Sequence, residues 1–368
     1  MSLEAEVGIK RQRIEALMQQ HHLAGLLLGR NSSVSWGLAG GEAHVAINSE
    51  TASAALLYTP QRDYLLADAI EMPRLQAEVL PGLPFEPVTF PWYEPDRRQQ
   101  LIIELTHGGA IGSDIATPDM RNMIAAMTAL RYQLTQEEQN RLRDLAARAG
   151  AAIETTAGEI APGMQEYAIA GLLAEECFLR DITPILLLVG TDDRVERFRH
   201  PLPTSKPLER YAMLVLSARR WGLVANVTRL IHFGPIPADL QQRAAACARI
   251  DAAMIAATRP GMAVSGMFSQ IQAAYATEGY PDHWGMHHQG GATGYASREW
   301  LATPDSVEKM HVGQAFAWNP SLPGVKCEDT ILLQDDGVEI LTATPQWPKQ
   351  AVQSGAVTVE RPLILEVD

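Results

Sequence analysis

Residues 328–342 read EDTILLQDDGVEILT. Two β-favouring runs, DTILLQ and GVEILT, flank an Asp-Gly step, and such a step between two such runs is a strong signal for an antiparallel hairpin. Strand runs upstream fit the same picture: ITPILLLVG (182–190), YAMLVLSA (211–218), GLVANVTRLIHFG (222–234) and QAFAWN (314–319). PLILEV (362–367) closes the chain. Helical patterns come between these strands in blocks. One opens at Thr135, where TQEEQ sets a capping residue before first-turn acids, and Leu142, Leu145, Ala149 and Ile153 then share one face. MQEYAIAGLLAEECF follows, and a further helix pair spans 238–258 and 264–278, split by Arg-Pro-Gly. Helices, strands, helices and strands in that order, with antiparallel hairpins, make an α+β layout.

The first 130 residues have a pattern of their own. After a charged amphipathic helix come AGLLLG (24–29), SVSWGL (33–38), ASAALLYT (52–59) and DYLLAD (63–68) as strands. Helical patterns return at 95–108 and 118–131 around the short strand AIGSDIA. This predicts a smaller α/β domain over 1–132 ahead of the α+β domain over 133–368. A length of 368 residues already favours two domains, because a single core stops growing well before that size.

Composition narrows the partners. Apolar residues make up 46% and charged residues 20%, an ordinary globular balance. A net charge of −13 without a basic stripe argues against nucleic acid. No apolar run approaches the roughly 20 residues that cross a bilayer, so no membrane partner is expected. The opening helix lacks the apolar centre of a secretory signal. Cys177, Cys247 and Cys327 are widely spaced, which reads as reduced thiols in a cytoplasmic protein.

No Gly-x-Ser-x-Gly elbow, Gly-x-x-x-x-Gly-Lys phosphate loop or His-Glu-x-x-His occurs. What remains is a set of polar residues at strand ends in the second half. His200 lies in FRHPLPT, and His287 and His288 in GMHHQGGATGY (285–295). Asn226, Thr228 and Arg229 interrupt an apolar strand, Asn319 ends another in AWNP, and Glu328 and Asp329 begin a third. Each alone suits a structural role. Polar groups on neighbouring strand ends also converge on one pocket, and that makes them the candidate site.

The order of these elements resembles the pita-bread superfamily of Xaa-Pro peptidases, methionine aminopeptidases and creatinase, over essentially the whole chain. The resemblance implies a pita-bread catalytic domain behind a smaller creatinase-like α/β domain. The family's Asp-x-Gly-x-x-x-x-Gly-Tyr-x-x-Asp-x-Thr-Arg strand overlays VLSARRWGLVANVTR (215–229) without a gap. Gly222, Thr228 and Arg229 agree, whereas Val215 and Asn226 stand where two metal aspartates belong. HQGG resembles the His-Gly-x-Gly step, with His288 as the ligand histidine. WNPS resembles the Glu-Pro-Gly step, so Asn319 replaces a ligand glutamate. EDT and DDGVEILT match closely, so Glu328 keeps the last ligand position. Tyr295 stands where a second histidine contacts substrate, and His200 matches the upstream substrate histidine. Arg298 and Glu299 follow Tyr295 at the expected pocket mouth.

Family members hold two divalent ions with four carboxylates and one histidine. At those five positions this chain offers one carboxylate and one histidine, too little charge for two dications. The expectation is therefore no cofactor, with a single manganese, cobalt or zinc ion on His288 and Glu328 as the lesser reading. Creatinase, which works on this fold without metal, implies a use for what is left. His200 would serve as proton carrier and Glu328 as its orienting partner, while Asn226 in place of a creatinase glutamate sets creatine itself aside. The reading is a metal-independent hydrolase or lyase of a small amide, dipeptide-like or amidino compound. His200, His288, Tyr295 and Glu328 would be catalytic, and Asn226, Asn319 and Arg298 would bind substrate. A silent binder of a peptide or amino-acid derivative is the alternative, and a degenerate Xaa-Pro metallopeptidase the second. The resemblance also implies a homodimer acting on a small molecule or short peptide.

Overall fold

In the computed structural model, residues 3–368 are described apart from 95 and 116. The expected helix start at 95, the strand end at 116 and the first two residues of the opening helix lie outside the described residues. The chain forms two compact units, Met1–Glu138 with Trp221–Leu223, and Gln139–Arg220 with Val224–Asp368. Residues 132–133 fall between the helices Ile124–Leu130 and Gln136–Glu159.

The first unit carries a six-stranded sheet in the order Glu86–Phe90, Asp63–Asp68, Thr51–Tyr58, Gly25–Arg30, Ile111–Ser113, Arg121–Asn122. Thr51–Tyr58 runs antiparallel to both neighbours and the other pairings are parallel. Leu27, Ala55, Leu57 and Leu66 cluster with Ile102 of the helix Arg97–Leu105. SVSWGL is not a strand. It lies in the helix Asn31–Gly37, whose Ser33, Val34, Ser35 and Trp36 are all buried. The serine–apolar alternation that suggests a two-faced strand is thus a helix enclosed on every side, with Ser33 Oγ accepting from the Arg131 guanidinium at 2.7 Å. The helix expected from 118 starts only at Ile124, because Arg121–Asn122 pair with the sheet and Asn122 Oδ1 accepts from the Ile124 N–H.

The second unit contains two larger sheets. Thr183–Thr191, Tyr211–Arg220, Leu223–Phe233 and Leu365–Val367 form one, in that spatial order. Trp300–Leu301, Gly290–Thr293, Ala315–Trp318, Asp329–Gln334 and Gly337–Ile340 form the other, antiparallel throughout. The bridge between Thr228 and Glu328 links the two. The expected late hairpin is present, but its two turn residues are Asp335 and Asp336, and Gly337 already pairs with Gln334 at φ 149°. The helix Gln136–Glu159 begins with a capping box: Glu138 N–H donates to Thr135 Oγ1, and Glu138 Oε2 accepts from Thr135 N–H at 2.7 Å. Leu142, Leu145, Ala149 and Ile153 are fully buried on it, as their spacing requires.

One hairpin escaped the sequence reading, Lys349–Ser354 with Val357–Pro362. Its strands are mostly polar, bury little beyond Val352, Val359 and Arg361, and lie against the helix Ala238–Ala257. Pro362 therefore ends that hairpin, and only Leu365–Val367 of the expected closing strand pairs in the four-stranded sheet.

Candidate active site

Strand register brings the site together. Gly290 pairs with Trp318 and Trp318 with Asp329, so His288, Asn319 and Glu328 leave the five-stranded sheet at one end. This end is held tightly. Gly290 has φ +94°, and a Cβ there would stand 2.1 Å from the Ala317 carbonyl oxygen; one at Gly291 would stand 2.0 Å from that of Trp300. The paired glycines thus serve close strand approach. Gln289 is buried between them and the histidines, donating to the His287 carbonyl at 2.7 Å and accepting from the Tyr275 hydroxyl at 2.9 Å.

Glu328 is the charged centre. It is 3% exposed, and both carboxylate oxygens are taken. Lys326 Nζ lies 2.8 Å from Oε2, and Thr228 Oγ1 donates to the same oxygen at 2.8 Å. Arg298 Nη2 donates to Oε1 at 2.7 Å. Burial alone would raise this carboxyl, but the Lys326 and Arg298 charges outweigh it and hold it at about 2. Glu328 is thus an ionised anchor with little capacity to take a proton at neutral pH. Lys326 had no place in the sequence reading. Its signal was there: in VKCED, residues i and i+2 of an extended segment share a face, and a buried lysine needs an anion.

Beside this ion cluster stand three histidines. His287 Nε2 and His200 Nε2 are 3.0 Å apart, a hydrogen bond between imidazoles, and the rings of His287 and His288 are 4.5 Å apart. Their ligand atoms all lie within 4.8 Å of one another, spacing that suits a single cation. Each titrates below the ordinary 6.5. Lost hydration and then the Lys326 charge lower His200, and Glu328 only partly opposes them. Lost hydration and Lys326 hold His287 at about 3, and lost hydration, Arg298 and Lys326 hold His288 at about 4. All three are neutral at pH 7, able to accept or pass a proton but weakly basic. His287 was left without a role in the sequence reading, and the structure makes it the partner of His200.

The remaining expected residues divide. Val215 is buried in its strand opposite Leu188. Asn226 is buried and engaged: its Oδ1 accepts from Ser217 Oγ at 2.8 Å and its Nδ2 donates to Thr293 Oγ1 at 3.2 Å. That makes it a strut between sheets. Asn319 is 1% exposed and its Oδ1 has no hydrogen-bond partner. Tyr295 is buried, with its backbone N–H donating to Glu299 Oε1. Arg298 and Glu299 each have a partner in the fold, Arg298 the Glu328 carboxylate and Glu299 the Tyr295 backbone N–H. Behind Glu328, Asp329 is held by Arg229 at 2.9 Å and Arg361 at 2.6 Å, and Arg361 also reaches Asp251 at 2.6 Å. Two grooves of the same unit, about 580 and 700 Å³, have no histidine in their linings.

Residues 140–335 match metallopeptidase family M24, just over half of the chain. The chain belongs to metallopeptidase family M24. No curated protein sequence matches it. Solved structures show the fold. The Xaa-Pro dipeptidase of Bacillus anthracis is 18% identical with a TM-score of 0.75, over 98% of this chain and 100% of that one. Dipeptidase PepE of Mycobacterium ulcerans is 16% identical with a TM-score of 0.79, over 99% of each chain. The N-terminal domain of the FACT complex subunit SPT16 of chickpea, Cicer arietinum, is 12% identical with a TM-score of 0.70, over 92% of this chain and 96% of that one. One fold thus serves proteins of different description, and the site must decide the activity.

Divalent metals are typical of M24 enzymes, and the ligand positions of this chain differ in what they offer one. Val215 has no lone pair, the Asn226 oxygen already accepts from Ser217, and both Glu328 oxygens face cations of the chain. These are the donors that the chain offers at the positions matched to the family's ligands. Among the described residues the one group spaced for a cation is the histidine trio, which shares only His288 with the family's ligand positions.

Proposed function

We propose that this M24 chain is a metal-independent hydrolase of C–N bonds in small amides or dipeptide-like compounds. One observation carries the reading: Glu328, the single carboxylate left at the family's ligand positions, is ion-paired on both oxygens by Lys326 and Arg298. Two fixed organic cations stand in the electrostatic place of a metal pair, and a dication approaching Glu328 would meet them first. In this reading His200 takes a proton from water as its oxygen attacks the amide carbonyl carbon. The hydrogen-bonded His287 holds that imidazole in place, and the proton returns to the amine nitrogen as the C–N bond breaks. The products are a carboxylic acid and an amine, so atoms and charge balance. Neutral His288 can donate to the developing oxyanion. A small amide or short peptide as partner, a homodimer and a cytoplasmic location belong to the same reading.

Elemental analysis of tag-free protein, followed by a chelator-treated assay against small amides and dipeptides, tests it. Expected are less than one metal ion per chain, turnover that survives chelation, and loss of turnover on His200→Ala. One stoichiometric ion that disappears on His287→Ala would replace this reading with a mononuclear histidine site. The second reading is ligand binding without conversion. It is favoured by the weak basicity of His287 and His288, at about 3 and about 4. Unaltered ligand recovered after long incubation, with affinity unchanged by His200→Gln, would select it.

A further inference from the structure

Two open sheet edges of the second unit face one groove. Gly337–Ile340 is the edge strand of the five-stranded sheet, and Val357–Pro362 belongs to the two-stranded hairpin. Both line the groove of about 580 Å³, and they do not pair with each other. In an antiparallel ladder, successive residues turn their N–H and C=O groups to alternate sides. Leu341 N–H donates to the Thr330 carbonyl at 2.8 Å, while Leu333, opposite Val338, bonds on its far side with Gly313 and Gln314. Val338 and Ile340 therefore turn their backbone groups outward from the sheet. Leu363 N–H donates to the Pro348 carbonyl at 2.8 Å, so on the hairpin the outward residues are Thr358 and Glu360. All four line the groove. Among the described residues and outside the ladders, no hydrogen bond reaches these four N–H groups, and of their carbonyls that of Glu360 is engaged, by Arg361 Nη1 at 3.2 Å.

We propose that this groove docks an extended, basic peptide segment of a partner protein, which adds itself as a strand to Gly337–Ile340 with Val357–Pro362 as the opposite wall. An open edge is a template for such pairing, and main-chain hydrogen bonds then supply the affinity. The volume falls within the roughly 300–1,000 Å³ of ligand clefts. Ile255, Ala256 and Val359 in the lining offer apolar contacts to alternate side chains of the incoming strand. Charge sets the class of peptide. The lining carries Asp335, Asp336 and Glu360 against Arg259, and Lys349, outside the lining, holds Glu360 at 3.3 Å. That leaves two acids at the hairpin turn, neither ion-paired among the described residues, against one arginine. The chain as a whole, at −13, has the same sign. Lysine or arginine on the peptide complements both. This docking surface is independent of the chemistry at His200.

Fluorescence anisotropy of the full chain with a capped heptapeptide of alternating lysine and valine tests this. Two companions go beside it: the glutamate–valine counterpart, and a copy N-methylated along its backbone, which keeps the charges and side chains but cannot pair. The lysine peptide is expected to bind about tenfold or more tighter than either companion. Val338→Pro removes one outward N–H and leaves the strand's own ladder intact, so it should weaken the lysine peptide by about tenfold. Asp335→Asn with Asp336→Asn should weaken it to a similar degree, about tenfold. Amide exchange followed by NMR should slow at Val338 and Ile340 when the peptide binds, a residue-specific result that charge attraction alone does not give. Should Val338→Pro fail to fold, the N-methylated peptide on the unaltered chain carries the same test. Absence of binding, equal binding of the lysine and glutamate peptides, undiminished binding of the N-methylated copy, or unchanged exchange at Val338 and Ile340 would overturn the inference. So would a dimer that Val338→Pro splits while no peptide binds, which would give the edge to a second copy of this chain.

Discussion

Replacing Lys326 by Met removes one of the two charges that keep Glu328 ionised and leaves side-chain volume nearly unchanged. At 2.8 Å, and with both side chains about 5% exposed, the gross attraction at an effective dielectric of 20 is about 6 kcal/mol. Desolvation consumes part of that. A second route to the magnitude is the carboxyl itself, lowered from 4.5 to about 2, which corresponds to roughly 3 kcal/mol of native-state preference for the ionised form, shared between Lys326 and Arg298. The two routes bracket the loss in Lys326→Met between about 2 and 6 kcal/mol at pH 7, a range that spans what a broken buried pair costs.

The pH dependence gives the sharper test. Because the folded carboxyl sits below its unfolded value, its stabilisation is complete above about pH 5 and is lost as pH falls toward 2. In the variant burial is less opposed, so the carboxyl rises and takes its proton earlier. The wild-type advantage should therefore be full at pH 7 and shrink between pH 5 and pH 3. Urea unfolding of both proteins at pH 7, 5 and 4 measures the difference, which cancels the acid sensitivity they share. A difference that stays constant across that range would refute the claim that Lys326 acts through the ionised Glu328. Adding Glu328→Gln should return part of the loss, since no buried charge is then left alone.

Hydrolysis through neutral His200 predicts a rate that stays flat from pH 8 to 6.5 and falls only below that, because its imidazole titrates below the ordinary value; a limb at or above 6.5 in kcat/KM would contradict the assignment. Asn226→Asp restores one family carboxylate, yet it should bring no metal by elemental analysis and cost about 1 kcal/mol, since it loses the donor to Thr293 Oγ1. Gly290→Ala should lose about 3 kcal/mol or more in chemical denaturation, with its Cβ 2.1 Å from a strand carbonyl oxygen. Gly266→Ala, whose Cβ would meet the Met262 side chain at an ordinary 3.8 Å within the helix Val264–Thr277, is its control and should gain about 0.5–1 kcal/mol.

Legibility followed burial. Strands buried on one or both faces, such as Tyr211–Arg220 and Leu223–Phe233, appear as long apolar runs, and the helix at Gln136 announces itself by its capping box. The hairpin Lys349–Ser354 with Val357–Pro362 buries few side chains, so its strands carry almost no hydrophobic signal. SVSWGL fails for the opposite reason: in a helix with Ser33 through Gly37 buried, serines, Ser33 satisfied by the distant Arg131, imitate a strand's polar face. The helix start at Ile124 follows a strand pairing at Arg121–Asn122 and an Asn122 turn that a periodicity count does not weigh.

The site was legible where an expected residue type is missing and illegible where a neighbouring charge balances what is left. Val215, Asn226 and Asn319 stand out because a carboxylate is expected there and absent. Lys326 does not, since a lone lysine in an extended run is ordinarily a solvated surface charge and nothing local fixes its partner. Yet the two facts belong to one electrostatic balance. Once three anionic ligands are gone, a buried Glu328 facing only neutral groups would protonate or unfold the sheet end, because burial alone raises its carboxyl. Some cation has to take the role. Counting absent anions from sequence therefore calls for a search for cations within reach of the last one, and Lys326, two residues away along the chain and 2.8 Å from Glu328, is where that search would have ended.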